Sequence, residues 1–252
     1  MAVVYSGTSG GCSWEINDAG LLRIYPTNGV SGTLNNSGSN SPYFPWQAYQ
    51  DSIKSIIVEE GVSANSNSNY LFYNLQNCES INVMNLNTSN VTSMNSMFYN
   101  TGYSVTTFDI SDLSSWNTSN VIDMVYMFYN TGYSATTFNI GGLSNWDTSN
   151  VISMNSMFSG AGYSATTWNI GNLSSWNTSK VTDMNYIFSN AGYSATTFDI
   201  GDLSNWDTSN VTSMASMFSG AGQNATTWNI GDLSNWDTSK VTYMDFMFSS
   251  AG

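Results

Sequence analysis

The chain has 252 residues, of which 17 are acidic, 4 are basic and none is histidine, for a formal net charge of −13. A balance this acidic, with its cations scattered at Arg23, Lys54, Lys180 and Lys240, argues against nucleic acid and anionic lipid as partners, because both need a basic patch. Charged residues make up only 8% of the chain, so solubility rests on Asn, Ser, Thr and Gly, while 41% hydrophobic and 14% aromatic content argues for a buried core rather than disorder.

From the N-terminus, no stretch reads as a membrane span. The opening "MAVVYSGTSGG" lacks the basic and apolar regions of a signal peptide, so export is expected to depend on a segment outside this sequence or on another route. "CSWEINDAGLLRIYPT" predicts strand, turn and strand, with the turn at residues 17–20. "SGTLNNSGSNSPYFP" reads as a loop, and the alternating "SIKSIIVEEGV" predicts a strand over about 53–58. Cys12 and Cys78 have no metal-type spacing; they either pair as a disulfide or sit apart as buried thiols.

Beyond residue 60 the chain repeats itself. A degenerate unit, with "YLFYNL" at 70–75 and "CESINVMNL" at 78–86, is followed by five units of thirty residues over 87–236 and a half unit to 252. The organisation expected is an N-terminal β-rich cap over 1–60 and a solenoid over 61–252. Within the first full unit, Val91, Met94, Met97 and Phe98 recur at spacings that fit one face of a short helix, and Gly102 stands where a left-handed cap belongs. Next, Thr106, Phe108 and Ile110 alternate with Thr107 and Asp109, which predicts a strand over 106–110 and its copies at 136–140, 166–170, 196–200 and 226–230. Each unit is then a strand plus a short helix, and the fold class expected is an α/β repeat, a β/α solenoid of leucine-rich-repeat type. One unit buries too little apolar surface to offset the entropy of ordering its own residues, so the units must stack.

Stacking places equivalent residues of neighbouring coils about 4.8 Å apart, where like charges repel. The column through 109 reads Asp109, Asn139, Asn169, Asp199, Asn229, and the column through 123 reads Ser93, Asp123, Ser153, Asp183, Ser213, Tyr243, with no two acids adjacent in either. Asp202 beside Asp232 and Asp207 beside Asp237 are the exceptions, both on predicted turns open to water.

"SNVTSMNSMF" with "LSNWDTS" resembles the repeat of BspA-like bacterial surface proteins, a divergent leucine-rich-repeat group, and "GGCSWEINDAGLLRIYPTNGVSGTL" resembles the segment that precedes such repeats. The resemblance implies a solenoid on a secreted or cell-surface bacterial protein, in a group linked to adhesion to host matrix proteins and other cells.

Catalysis is not expected. There is no histidine, nucleophile elbow or phosphate loop, and carboxylate pairs such as Asp109 and Asp112 drift between repeats as surface residues do. No cofactor and no metal are expected either, because the Asx residues that calcium would use are accounted for as turn and capping residues. Two exposed columns remain. One is the outward strand face, where Thr107 and Asp109 recur as Thr137 and Asn139, Thr167 and Asn169, Thr197 and Asp199, and Thr227 and Asn229. The other is Tyr103, Tyr133, Tyr163 and Tyr193, ending in Gln223, read as sealing a corner of the coil. The function expected is a non-enzymatic, multivalent adhesin or protein-binding solenoid that engages a host matrix or cell-surface protein through the strand face, with no membrane insertion. Alternatives are a structural filament or phage-type fibre module, which would self-associate end to end through an uncapped C-terminal coil, and an ice-binding protein using the threonine file.

Overall fold

The computed structural model describes residues 1–36, 44–110 and 112–252. The chain begins in a sheet and winds on as about seven coils of a β-solenoid. Strands β1 (Val3–Ser9), β2 (Cys12–Asn17) and β3 (Leu21–Pro26) form an antiparallel meander. The β2–β3 turn is the one the sequence predicts: Asn17 Oδ1 accepts the N–H groups of Ala19 and Leu21, each at 3.0 Å, and Gly20 takes a left-handed φ of 83°. A short strand β4 (Gly32–Thr33) follows. The loop expected around 31–45 lies partly outside the described residues. A 3₁₀ segment, Pro45–Ser52, then seats Trp46 in the core, its indole N–H donating to the Leu71 carbonyl.

From β5 (Ser55–Val58) onward every pairing is parallel. β3 pairs with β5, β5 with β7 (Ser80–Asn82) and β7 with β8 (Asp109–Ile110), while β6 (Val62–Ser63) pairs with β4. The initial sheet therefore continues without a break into the first coils. Strands β9 (Thr137–Asn139) and β10 (Thr167–Asn169) pair in register, as do β11 (Thr197–Asp199) and β12 (Thr227–Asn229). These fall inside the spans expected for strands but are shorter. Thr106 was expected to point inward with Phe108 and Ile110, yet it is exposed. The chain at this position is still leaving a turn, and in the next coil the Thr136 hydroxyl donates to the Thr106 carbonyl at 3.3 Å. A second ladder of single parallel bridges runs through Asn67, Ser93, Asp123, Ser153, Asp183, Ser213 and Tyr243.

The short helix expected over 91–98 is absent, and among the described residues there is no α-helix. The fold is a β-solenoid rather than a β/α one. A ribbon of turns takes the helix's place, and its hydrogen bonds give the reason. Met97, Tyr99 and Thr101 donate three residues back, to Met94, Ser96 and Phe98, at 3.0–3.2 Å. Met94, Ser96, Phe98 and Asn100 instead donate across to the next coil, to the carbonyls of Asp123, Val125, Met127 and Tyr129, at 2.8–2.9 Å. A helix would keep all these bonds within one segment; here half of them join neighbours. The ribbon needs left-handed residues, found at Ser96 (φ 54°), Asn100 (φ 54°) and Gly102 (φ 67°).

Stacking aligns the core into files. Met94, Met124, Met154, Met184 and Met214 are fully buried, and Phe108, Phe138, Trp168, Phe198 and Trp228 stack in sequence with centroids 4.9–6.4 Å apart. Trp116, Trp146, Trp176, Trp206 and Trp236 form a further stack, each indole N–H donating to a carbonyl of the preceding coil at 2.9–3.2 Å. Cys12 and Cys78 are separate buried thiols, their pKa values pushed up by desolvation to about 11 and about 12.

Candidate binding faces

Several columns of side chains reach the surface in repeating form, and three of them bear on binding. On the strand face, Phe108 and its copies turn inward, which leaves Thr107 and Asp109 and their copies exposed on either side. The structure sets Thr137 beside Thr167 and Asn139 beside Asn169 in one ladder, and Thr197 beside Thr227 and Asp199 beside Asn229 in a second, separate one. Part of the Asx file is spent on itself. Asn169 Nδ2 donates to Asn139 Oδ1 at 3.0 Å, Asn229 Nδ2 donates to Asp199 Oδ1 at 3.1 Å, and the Oδ1 atoms also hold the N–H groups of Gly141, Gly171, Gly201 and Gly231. This face is polar. Asp112, which shares a hollow with Asp109, accepts from the Ser114 N–H and hydroxyl, so its carboxylate is fixed by its own turn. Among the described residues no three His, Cys, Asp or Glu side chains converge as a metal site would need.

The second column is the tyrosine stack. Tyr103, Tyr133, Tyr163 and Tyr193 lie ring on ring with centroids 4.6–4.8 Å apart, half-buried, and Gln223 ends the file exposed. Burial first, then the neighbouring tyrosines, raise the pKa values of Tyr133 and Tyr163. Packed edge-down along a corner, these rings expose little of their faces.

The third is a groove on the turn ribbon, which the sequence reading missed. Its volume is about 730 Å³, and tyrosines wall it: Tyr70, Tyr73, Tyr99, Tyr126, Tyr129 and Tyr186. Tyr73, Tyr99 and Tyr129 stack at 5.1 and 4.7 Å, and Tyr126 stands edge-on to Tyr99 and Tyr129 at 6.2 and 5.6 Å. Asn95, Asn190 and serines 96, 156, 159 and 189 complete the lining, so among the described residues no charged group lines the groove. Asp123 and Asp183, on the adjoining ladder, accept from the Asn95 and Asn155 amides at 3.2 and 2.9 Å. A sequence signal was there to be found: the column at this register reads Tyr70, Ser96, Tyr126, Ser156, Tyr186, Ser216, Phe246, a large ring in every second coil.

No curated protein matches the chain at a significant level. Its structure is similar to that of a leucine-rich repeat protein from Eubacterium ventriosum, solved by crystallography, at 15% identity and a TM-score of 0.39; the match covers 96% of this chain and 62% of the length of that one. A family model described as a Mycoplasma protein of unknown function, DUF285, matches residues 66–191 and 162–252, the span of the coils. With its repeats matched over most of its length, the chain belongs to the DUF285 family, the group of BspA-like, leucine-rich-repeat-related sequences that its repeat motif resembles.

Proposed function

We propose that this chain is a non-enzymatic binding solenoid of a bacterial surface or secreted protein, which holds a protein partner through its strand face. The observation that carries the reading is the repetition of exposed threonine and Asx side chains coil after coil, in register between β9 and β10 and between β11 and β12. The face lacks the Trp, Tyr and Arg that anchor tight interfaces, so one coil binds weakly. Once one coil engages, the next acts at high effective concentration, and weak contacts add along the file. The surface placement rests on the likeness of the repeats to BspA-like proteins.

The test compares two sets of substitutions in adhesion to immobilised host matrix proteins. Changing Asp109 and Asn169, two coils apart, to lysine is expected to abolish adhesion while the far-UV spectrum stays unchanged. Changing Tyr103, Tyr133, Tyr163 and Tyr193 to serine is expected to leave adhesion standing. Loss in the tyrosine set alone, in a folded protein, overturns the strand-face reading. A second reading, ice binding, gains from the exposure of Thr106, which sets another threonine file beside Thr107; thermal hysteresis in the purified protein would favour it.

A further inference from the structure

We propose that the tyrosine groove on the turn ribbon binds an extended, uncharged β-1,4-linked glycan that lies along the solenoid axis, with Tyr126 and Tyr186 as successive stacking platforms. The proposal concerns a different face from the strand surface and stands apart from the reading given for it.

Backbone strain is the first argument. Tyr70, Tyr126 and Tyr186 have left-handed φ values of 61°, 55° and 56°. The ribbon sets this φ in every coil, and bulky residues are disfavoured there. The ribbon does not require an aromatic at this position, since Ser96, Ser156 and Ser216 take φ values of 52–54° in the alternate coils. Nor do the rings vanish into the core: Tyr126 is 38% exposed and Tyr186 45%. Their apolar faces border the groove, where a ligand can use them.

The chemistry of the lining narrows the ligand. The chain carries a net charge of −13, yet the described residues that line the groove offer only hydroxyl, amide and phenol groups. That excludes polyanions and gives no charge for a cationic peptide to meet. Peptide addition as a further strand is not served, because the ribbon's N–H groups at 94, 96, 98 and 100 are taken by the next coil. A pyranose with equatorial hydroxyls offers an apolar C–H face, which suits the electron-rich face of an aromatic ring. Around its rim it offers many hydroxyls that both donate and accept, which suits Ser and Asn.

Periodicity narrows it further. One platform per two coils puts successive rings about 10 Å apart, twice the strand spacing. In a β-1,4-linked ribbon alternate sugars show the same face, and one disaccharide is about as long as that interval. The groove and such a glycan therefore repeat in phase, and a hexasaccharide spans both platforms. A proline-rich helix has a similar pitch and also favours aromatic grooves, but it brings acceptors only.

The experiment is calorimetric titration of the full chain with cellohexaose and chitohexaose, against cellobiose, heparin and decaproline. Saturable binding of at least one hexasaccharide is expected, at least tenfold tighter than cellobiose, with no binding of heparin. Tyr126→Ser with Tyr186→Ser should weaken it at least tenfold and leave the melting temperature within a few degrees, because serine already occupies this register in the alternate coils. Tyr133→Ser, outside the groove, should leave binding unchanged. Failure of both hexasaccharides to bind, unchanged affinity in the double variant, or preference for decaproline or heparin would each overturn the proposal. The strand-face lysine set should not alter glycan binding, so the two readings fail separately.

Discussion

At the residue scale, the same turn is written with either of two side chains. Asn87, Asn117 and Asn177, and Asp147, Asp207 and Asp237, each accept the N–H of the residue two ahead through Oδ1 at 2.9–3.1 Å. At neutral pH the two are equivalent acceptors, but only the acids titrate. The Ser149 hydroxyl and N–H hold the Asp147 carboxyl below its usual range, and Ser209 and Ser239 do the same for Asp207 and Asp237. A lowered folded pKa contributes stability that is complete above the unfolded value of about 3.9 and is lost as pH falls through the folded one. Replacing the three acids with Asn should therefore keep the melting temperature at pH 7 and flatten its fall below about pH 4. A parallel acid slope in both proteins would contradict the assignment. Met154 makes the complementary point from the interior. It is fully buried, and Met154→Asp would leave a carboxylate there without a partner, so the stack should lose several kcal/mol and much of its cooperativity. Equal melting temperatures for the two proteins would refute the burial.

At the element scale, the tryptophan ladder shows how coils hold one another. Trp176 donates its indole N–H to the Leu143 carbonyl at 2.9 Å while stacking on Trp146 and Trp206. Trp176→Phe keeps an aromatic ring but removes one of the two hydrogen bonds that carbonyl accepts, the other coming from the Trp146 N–H at 3.1 Å, which costs about 0.5–1.5 kcal/mol in denaturant unfolding. The sequence made the strand legible because alternation across β9 to β12 is a direct consequence of one buried face, and it made the methionine and aromatic files legible because a constant repeat length can only stack. The ribbon was not legible by the same rule. Val91, Met94, Met97 and Phe98 satisfy helical spacing, and hydrophobic periodicity does not report where backbone N–H groups go. What distinguishes the ribbon is the run Asn74, Asn100, Asn130, Gly160, Asn190, Gly220 at one register, residues that tolerate left-handed φ. Because the helix was expected, Tyr126 and Tyr186 had no face to belong to, and the groove could not be drawn. The strand-face residues, by contrast, fell where alternation put them.

At the scale of the whole molecule, side chains of one coil complete the next. The Thr88, Thr118, Thr148, Thr178 and Thr208 hydroxyls each donate to a carbonyl one coil further on, at 2.9–3.0 Å. Glycines mark the closest approaches: at Gly201 and Gly231 a Cβ would run into the side chains of Asn172 and Asp202 in the coil before. Charge follows the same logic, since the ladder through Asp123 and Asp183 places serine beside each acid. Among the described residues no helix is long and apolar enough to cross a membrane.

The ribbon's division of its hydrogen bonds, half within a coil and half to the next, gives the molecule a mechanical character. Tension applied between the two ends runs parallel to the bonds between coils, so they open a coil at a time like a zip rather than shearing together. Each released coil frees thirty residues, about 100 Å of contour at 3.3–3.6 Å per residue. Single-molecule extension should accordingly show a train of evenly spaced, low-force steps of about that length. One large rupture would mean that the coils yield together. A tether of this kind lengthens under load while the coils not yet opened keep their surfaces, and such a chain behaves as a spring in series with whatever it holds.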